Sequence, residues 1–256
     1  VDLEERLISN VASEEEMAWV RSRQDLKVAF VATPRFLPKK IVNVSDLYQN
    51  YTVPENVHWP LERLVRLFFL QKMNKGDIEI LFDTSELNES VALYSSLPFL
   101  KDPEHWVFRA TEAVRSNVGN IFDALAFQNP YPYQYFSEQQ WNQLVLKCIF
   151  NDKGIHQIWG LKERSNANLA LSLSDFAHER WAAGRKVPAQ VWRLVSDFVD
   201  DRISADLEKL WTIGDEEDKI AVSLVAQESG KLSRLKIEMQ EFNQSKPLSW
   251  SELENN

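Results

Sequence analysis

Three stretches of this 256-residue chain combine residue types that chemistry could use. In SDFVDDRISAD, residues 196–206, Asp197 and Asp201 fall four apart, so a helix would set them on one face. That is the first half of a magnesium-diphosphate site in an all-helical prenyl enzyme. One turn on stands Ala205, Asp206 leaves the face, and no second acidic motif stands out. The stretch therefore reads as a solvated, charged helix end. HERWA at residue 178 begins like a zinc-protease helix, but Ala182 occupies the second-histidine position. The four histidines, His58, His105, His156 and His178, never pair at metal-ligand spacing, and His178 reads as a surface or cap residue. Cys148 lies within LVLKCIF on an apolar helix face, the setting of a buried structural thiol and not of a nucleophile. Seven scattered glycines build no phosphate loop, and no Gly-x-Ser-x-Gly elbow occurs. No catalytic residue, metal ligand or cofactor is implied.

The third stretch is QNPYPYQYFSEQQWNQLVLKCIF, residues 128–150. Prolines push their predecessors out of the helical region, so Asn129-Pro130-Tyr131-Pro132 is expected to be an extended or turning connector between helices at 118–128 and 137–150. Its tyrosines can lay their rings on neighbouring helices, and Phe136 and Trp141 have the spacing of a hydrophobic staple around the Ser137 cap. Asn142 and Lys147 fall off the centre of the apolar stripe, and a buried amide needs partners. Arg115 and Asn117, just upstream, are candidates to supply them. The candidate ligand- or partner-binding residues are Arg115, Asn117, Asn129, Tyr131, Trp141, Asn142 and Lys147. Two roles remain open for them: a buried polar network that fixes the connector, or a binding surface.

These residues must be held by helices. Ser13 and Ser137 open capping boxes with Glu16 and Gln140. Asp25 to Thr33 reads as a helix stopped by Pro34. Residues 34–58 read as an irregular connector with one short helix near Asp46. Leu61, Leu64, Val65, Phe68 and Phe69 repeat at helical spacing after Pro60, and Asn74-Lys75-Gly76 marks a stop. Further helices are expected at 77–83, 86–97, 103–115, 118–128, 137–150, 154–161, 166–183, 188–199, 203–213, 215–229 and 231–243. About twelve short helices with no clear strand make an all-α protein. The expected architecture is an irregular HEAT-like α-solenoid of stacked helix pairs, with a compact globular helical domain as the alternative. The expected organisation is one helical domain over residues 1–245 and a loose tail over 246–256.

Apolar residues make up 44% and charged residues 26%, within the ordinary range for a globular chain. The net charge of -9 argues against nucleic acid and anionic membrane surfaces as partners, apart from a local basic patch at Arg35, Lys39 and Lys40. No apolar run reaches the roughly 20 residues of a membrane span. The opening text VDLEERLISN lacks the basic start and apolar centre of a signal peptide, and with one cysteine the cytoplasm is the expected compartment.

The central text closely resembles the EboA family, the metabolite-traffic proteins of the bacterial Ebo cluster. The likeness rests on Asn129-Pro130-Tyr131-Pro132, Phe136, Trp141-Asn142-Gln143 and Val145-Leu146-Lys147. It continues through Ala167-Asn168, His178-Glu179-Arg180 and Ala182-Ala183-Gly184-Arg185. Pro34-Arg35-Phe36 and the run Ala92 to Pro98 extend it upstream, so it spans most of residues 20–230. The resemblance implies a part in moving secondary metabolites or their precursors. It also implies partners among the Ebo-cluster proteins, which include a membrane prenyltransferase-like protein. It carries no catalytic residues. Two functions follow as expectations: a non-enzymatic helical adaptor, or a carrier or enzyme for an apolar, isoprenoid-like molecule held between helices. In the second, Arg115, Asn142 and Lys147 would meet an anionic head group beside Trp141 and Tyr131.

Overall fold

The computed structural model describes residues 2–51, 57–232, 239, 242 and 248–254. Twelve helices of seven or more residues and a single two-stranded ladder make the described chain all-α. It divides into two compact units, Val1–Phe136 and Ser137–Asn256.

The first unit is built on α4. In order it holds α1 (Leu3–Ser9), α2 (Glu14–Arg21), α3 (Leu26–Phe36), α4 (Leu61–Lys72), α5 (Lys75–Thr84), α6 (Leu87–Ser96), α7 (Val107–Arg115), α8 (Gly119–Ala126) and α9 (Tyr131–Tyr135). Seven consecutive residues of α4, Leu64 to Leu70, are buried, because α1, α3 and α6 all pack on it. Each fully buried Leu or Phe there contributes about 1.5–3 kcal/mol. The Ser13 capping box forms as expected, with Ser13 Oγ accepting from Glu16 N at 3.2 Å and Glu16 Oε2 from Ser13 N at 2.8 Å. Asn74, expected within a stop signal, instead caps the start of α5, accepting from Asp77 N at 3.0 Å.

Pro34 does not stop α3, which runs on to Phe36. A proline inside a helix deprives the carbonyl four residues back of its donor, here that of Phe30. Arg66, on α4 and 2% exposed, supplies the missing bond: its Nε donates to Phe30 O at 3.0 Å. Its guanidinium also lies over the Phe30 ring, 5.2 Å from the centroid. Burial lowers the Arg66 pKa, while Glu62 and Glu89 act in the opposite direction.

The connector expected at 34–58 is more regular than its sequence indicates. Ile41–Asn43 pairs antiparallel with His58–Pro60, in the register Ile41↔Pro60, Val42↔Trp59 and Asn43↔His58. Between them Ser45–Tyr48 forms a 3-10 turn, at the place where a short helix was expected. Tyr48, Trp59 and Phe99 meet edge to face at 5.2–6.4 Å and seal this corner. The expected helix at 103–115 begins as a 3-10 turn, Pro103–Trp106, before α7.

The second unit holds α10 (Glu138–Phe150), α11 (Ala167–Ala182), α12 (Asp201–Ile213) and α13 (Glu216–Ser229). Only a 3-10 turn, Ile155–Gln157, forms where a helix at 154–161 was expected. The expected helix at 188–199 is two 3-10 turns, Ala189–Leu194 and Ser196–Phe198. The helical run breaks because Asp200 turns extended to cap α12, accepting from Ile203 N at 2.8 Å. The same break sets Asp197 and Asp201 on separate elements, so the shared helix face expected of them does not form. The helix expected at 231–243 lies largely outside the described residues. Residues 248–254, which fall in the stretch expected to be loose, carry a 3-10 turn, Trp250–Leu253. Leu253 is buried, and Arg193 pairs with Glu254 at 2.8 Å.

The start of α13 couples the fold to pH. Asp215 and Asp218 form a capping box, and Lys186 bridges Asp215 and Glu217 at 2.7 Å each. Burial pushes the Asp218 carboxyl up to about 6. A folded value above the unfolded one means that the native state holds the extra proton. The Asp218 contribution to stability is thus complete below about pH 4 and is lost as pH rises through about 6. Asp215 has the opposite sign, its pKa being lowered by the Lys186 hydrogen bond. Asp218→Asn keeps an acceptor for the cap without the charge. It is expected to be more stable than wild type by about 1–3 kcal/mol at pH 7, with the gain shrinking toward pH 4.5 in urea melts.

Candidate functional site

The stretch at residues 128–150 contributes side chains to both units, and each part has its own geometry. In the first unit Asn129 is buried at the meeting of two helix ends. Its Nδ2 donates to Tyr94 O at 3.0 Å and Ala124 O at 2.9 Å, near the C-termini of α6 and α8. Its Oδ1 accepts from Tyr131 N at 3.0 Å. One amide thereby ties the ends of two helices together and starts a third. Of the extended or turning connector expected from its prolines, the structure has the turning form, a bend followed by the one-turn helix α9. Pro130 is the N-cap of α9 and Pro132 lies in its first turn, where a missing N–H costs nothing. Tyr131 is buried, and its hydroxyl donates to Pro103 O at 2.5 Å, tying α9 to the turn before α7. Burial raises the Tyr131 pKa, so the hydroxyl stays a donor.

Arg115 and Asn117 stand apart from this clasp. Both are exposed at the end of α7, and Arg115 pairs with Glu112 at 2.9 Å. Neither supplies the partner expected for Asn142.

That partner lies in the second unit, on α11. Asn142 and Asn166 exchange reciprocal amide bonds of 3.1 and 2.8 Å. Asn166 is also the N-cap of α11, accepting from Leu169 N at 2.9 Å, and it donates to Arg164 O at 3.2 Å. The Arg164 guanidinium lies over the buried Trp141 ring, 4.9 Å from its centroid. At the first turn of α10, Glu138 accepts from Asn168 at 2.7 Å. Trp141, Asn142 and their α11 partners thus clamp the start of α11 onto α10. Lys147 is half-buried further along α10.

A third polar cluster joins α11 to α12. Ser174 and His178, one turn apart on α11, both bond the buried Asp206 carboxylate, each at 2.5 Å. His178 is exposed, the surface position expected of it, and from there it also bonds the buried carboxylate. The types are those of a hydrolase triad, but the order is not. Serine needs a base that takes its proton, with the carboxylate behind that base. Here the carboxylate stands in the middle and holds both partners. Among the described residues no group of three or more His, Cys, Asp or Glu side chains could hold a metal ion.

Asn166, Arg164 and Asp206 were not among the candidates from sequence. Two local signals could have pointed to them: an asparagine at the start of the expected helix, and the i, i+4 spacing of Ser174 and His178. The pairing of each with a residue 24 to 32 positions away had no local sign.

Fold and site together define an all-α protein whose signature residues close helix ends on one another. The chain matches the sequence model of the EboA family, described as metabolite traffic protein EboA, over residues 4–196, and it belongs to that family. The family description gives it a role in metabolite traffic. No curated protein and no solved structure matches it. No helix among the described residues is long and apolar enough to cross a membrane.

Asn129→Ala should cost about 2–4 kcal/mol, since it removes three hydrogen bonds and strands buried backbone groups. In the amide pair, Asn142→Ala and Asn166→Ala should show a coupling of about 1 kcal/mol in a double-mutant cycle. Additive losses in urea melts would mean that the two amides do not act as a pair.

Proposed function

We propose that this protein is a non-enzymatic adaptor in metabolite traffic, and that it docks a partner protein of the Ebo cluster on the outer face of α3. One observation carries the proposal. Val28, Val31 and Phe36 on α3, and Ile41 just beyond it, are 62%, 46%, 53% and 69% exposed. Val28, Val31 and Arg35 follow at spacings of three and four, so they form one stripe of the helix. Trp19 stacks on Phe36 at 4.8 Å between ring centroids and widens the apolar area. Exposed apolar residues gathered on one short segment mark interaction sites more often than single exposed residues do.

The rim is basic. Arg35 within the stripe, and Lys39 and Lys40 just past its end, are exposed, in a chain of net charge -9. The matching partner surface is an apolar segment carrying acidic residues. By contrast, the polar groups of Asn129, Tyr131 and Asn142 bond within their own units, and the Trp141 ring is buried beneath Arg164. That favours an architectural role for the signature stretch over a binding one.

The test is a mild pulldown from a host that carries the whole cluster, with wild type beside Val28→Glu/Val31→Glu. Wild type should recover another cluster protein. The double variant, still helical by circular dichroism, should recover about tenfold less or lower. Recovery of no cluster protein by wild type would overturn the adaptor role. Equal recovery by both would remove α3 as its surface.

A further inference from the structure

A hollow of about 400 Å³ lies within the second unit, between the segment that follows α10 and the turn Ala189–Leu194. Its volume falls in the range of small-molecule sites. Ile149, Ile155, Pro188 and Val191 give it apolar walls. Two polar atoms on residues that line it are buried and meet no hydrogen-bond partner among the described residues: His156 Nδ1 and Gln190 Oε1. Buried polar groups are nearly always satisfied, so each is an open demand for a partner.

The chain fixes both side chains in place. Gln190 donates through Nε2 to Leu253 O at 2.5 Å, which leaves its oxygen free of any role in that contact. His156 lies so close to Gly154 that a Cβ there would come within 2.8 Å of its Cε1, so a residue without a side chain lets the ring sit where it does. Leu253 and Glu254 lie beyond residues 4–196, so the hollow is closed in part by chain that the family model does not cover.

We infer that this hollow is a binding site for a neutral organic molecule with a hydroxyl on an apolar body, taken up through Gln190 and His156. The chemistry sets the class. An amide oxygen only accepts, so the ligand must bring an O–H or N–H donor. A neutral imidazole nitrogen either donates or accepts, and a hydroxyl can answer both. At the edge Asp152 and Lys153 offset one another, so no net charge there draws an ion. Arg193 already pairs with Glu254 and so adds no free positive charge. The site is independent of the adaptor role proposed above, and it lies in the other unit from α3.

The experiment titrates the full chain with three matched probes: cyclohexanol, cyclohexanone and cyclohexanecarboxylate. Backbone amide shifts are followed by ¹H–¹⁵N NMR. Cyclohexanol should give saturable millimolar shifts centred on Ile155, His156, Gln190 and Val191. The ketone, which cannot donate, and the carboxylate should bind about tenfold more weakly. His156→Phe and Gln190→Met, checked for folding by their own amide spectra, should each weaken cyclohexanol by about tenfold. Saturable shifts that are equal for all three probes would overturn the assignment, because apolar volume alone would then explain binding. Absence of saturable shifts at these residues would overturn it as well, leaving water as the occupant of the hollow.

Discussion

The carbonyl oxygen of Phe30 needs a donor that Pro34 cannot give it. Arg66 gives it from the neighbouring helix, and the course of α3 follows from that bond. A buried cation is costly unless its hydrogens are used. Here one N–H is spent on the orphaned carbonyl, the guanidinium plane rests on an aromatic ring, and Glu62 stands 3.9 Å away. With the bond in place α3 continues through Arg35 and Phe36. Without it the proline would end the helix early, and the stripe of Val28, Val31 and Arg35 would lose its last turn.

The same principle recurs across the chain. Asn129 satisfies carbonyls near the ends of α6 and α8, Asn166 caps α11 while gripping α10, and Asp206 joins α11 to α12. Each such bond contributes only about 0.5–1.5 kcal/mol net, but leaving its partner unsatisfied costs more. Polar side chains therefore act here less as a store of stability than as a constraint on which helix end meets which. The chain has only seven glycines, and side chains cap the starts of α2, α3, α5, α10, α11, α12 and α13.

Much of this was legible in the sequence where the signal is local. The Ser13 and Ser137 boxes, the apolar stripe of α4 and the Asn166 start are short-range patterns, and each marks a helix in the structure. What could not be read depends on distant partners. Pro34 looked like a stop because its compensation sits 32 residues away on Arg66. Asn142 looked in need of a partner, but Asn166 could be matched to it only by folding. The strands at 41–43 and 58–60 are three residues long, too short for alternation to show. The turns at 189–194 and 196–198 read as one helix because apolar spacing does not reveal where a cap, here Asp200, breaks a run.

The residues of the 128–150 stretch thus shape the scaffold, and the partner surface proposed above lies on α3. The most direct test is a double-mutant cycle between Arg66→Met and Pro34→Ala, measured by urea unfolding. An alanine at 34 brings its own N–H to Phe30 O, so Arg66→Met should cost about 1–2 kcal/mol less in that background than in wild type. An equal cost in both backgrounds would contradict the account, since Arg66 would then hold the first unit by packing alone.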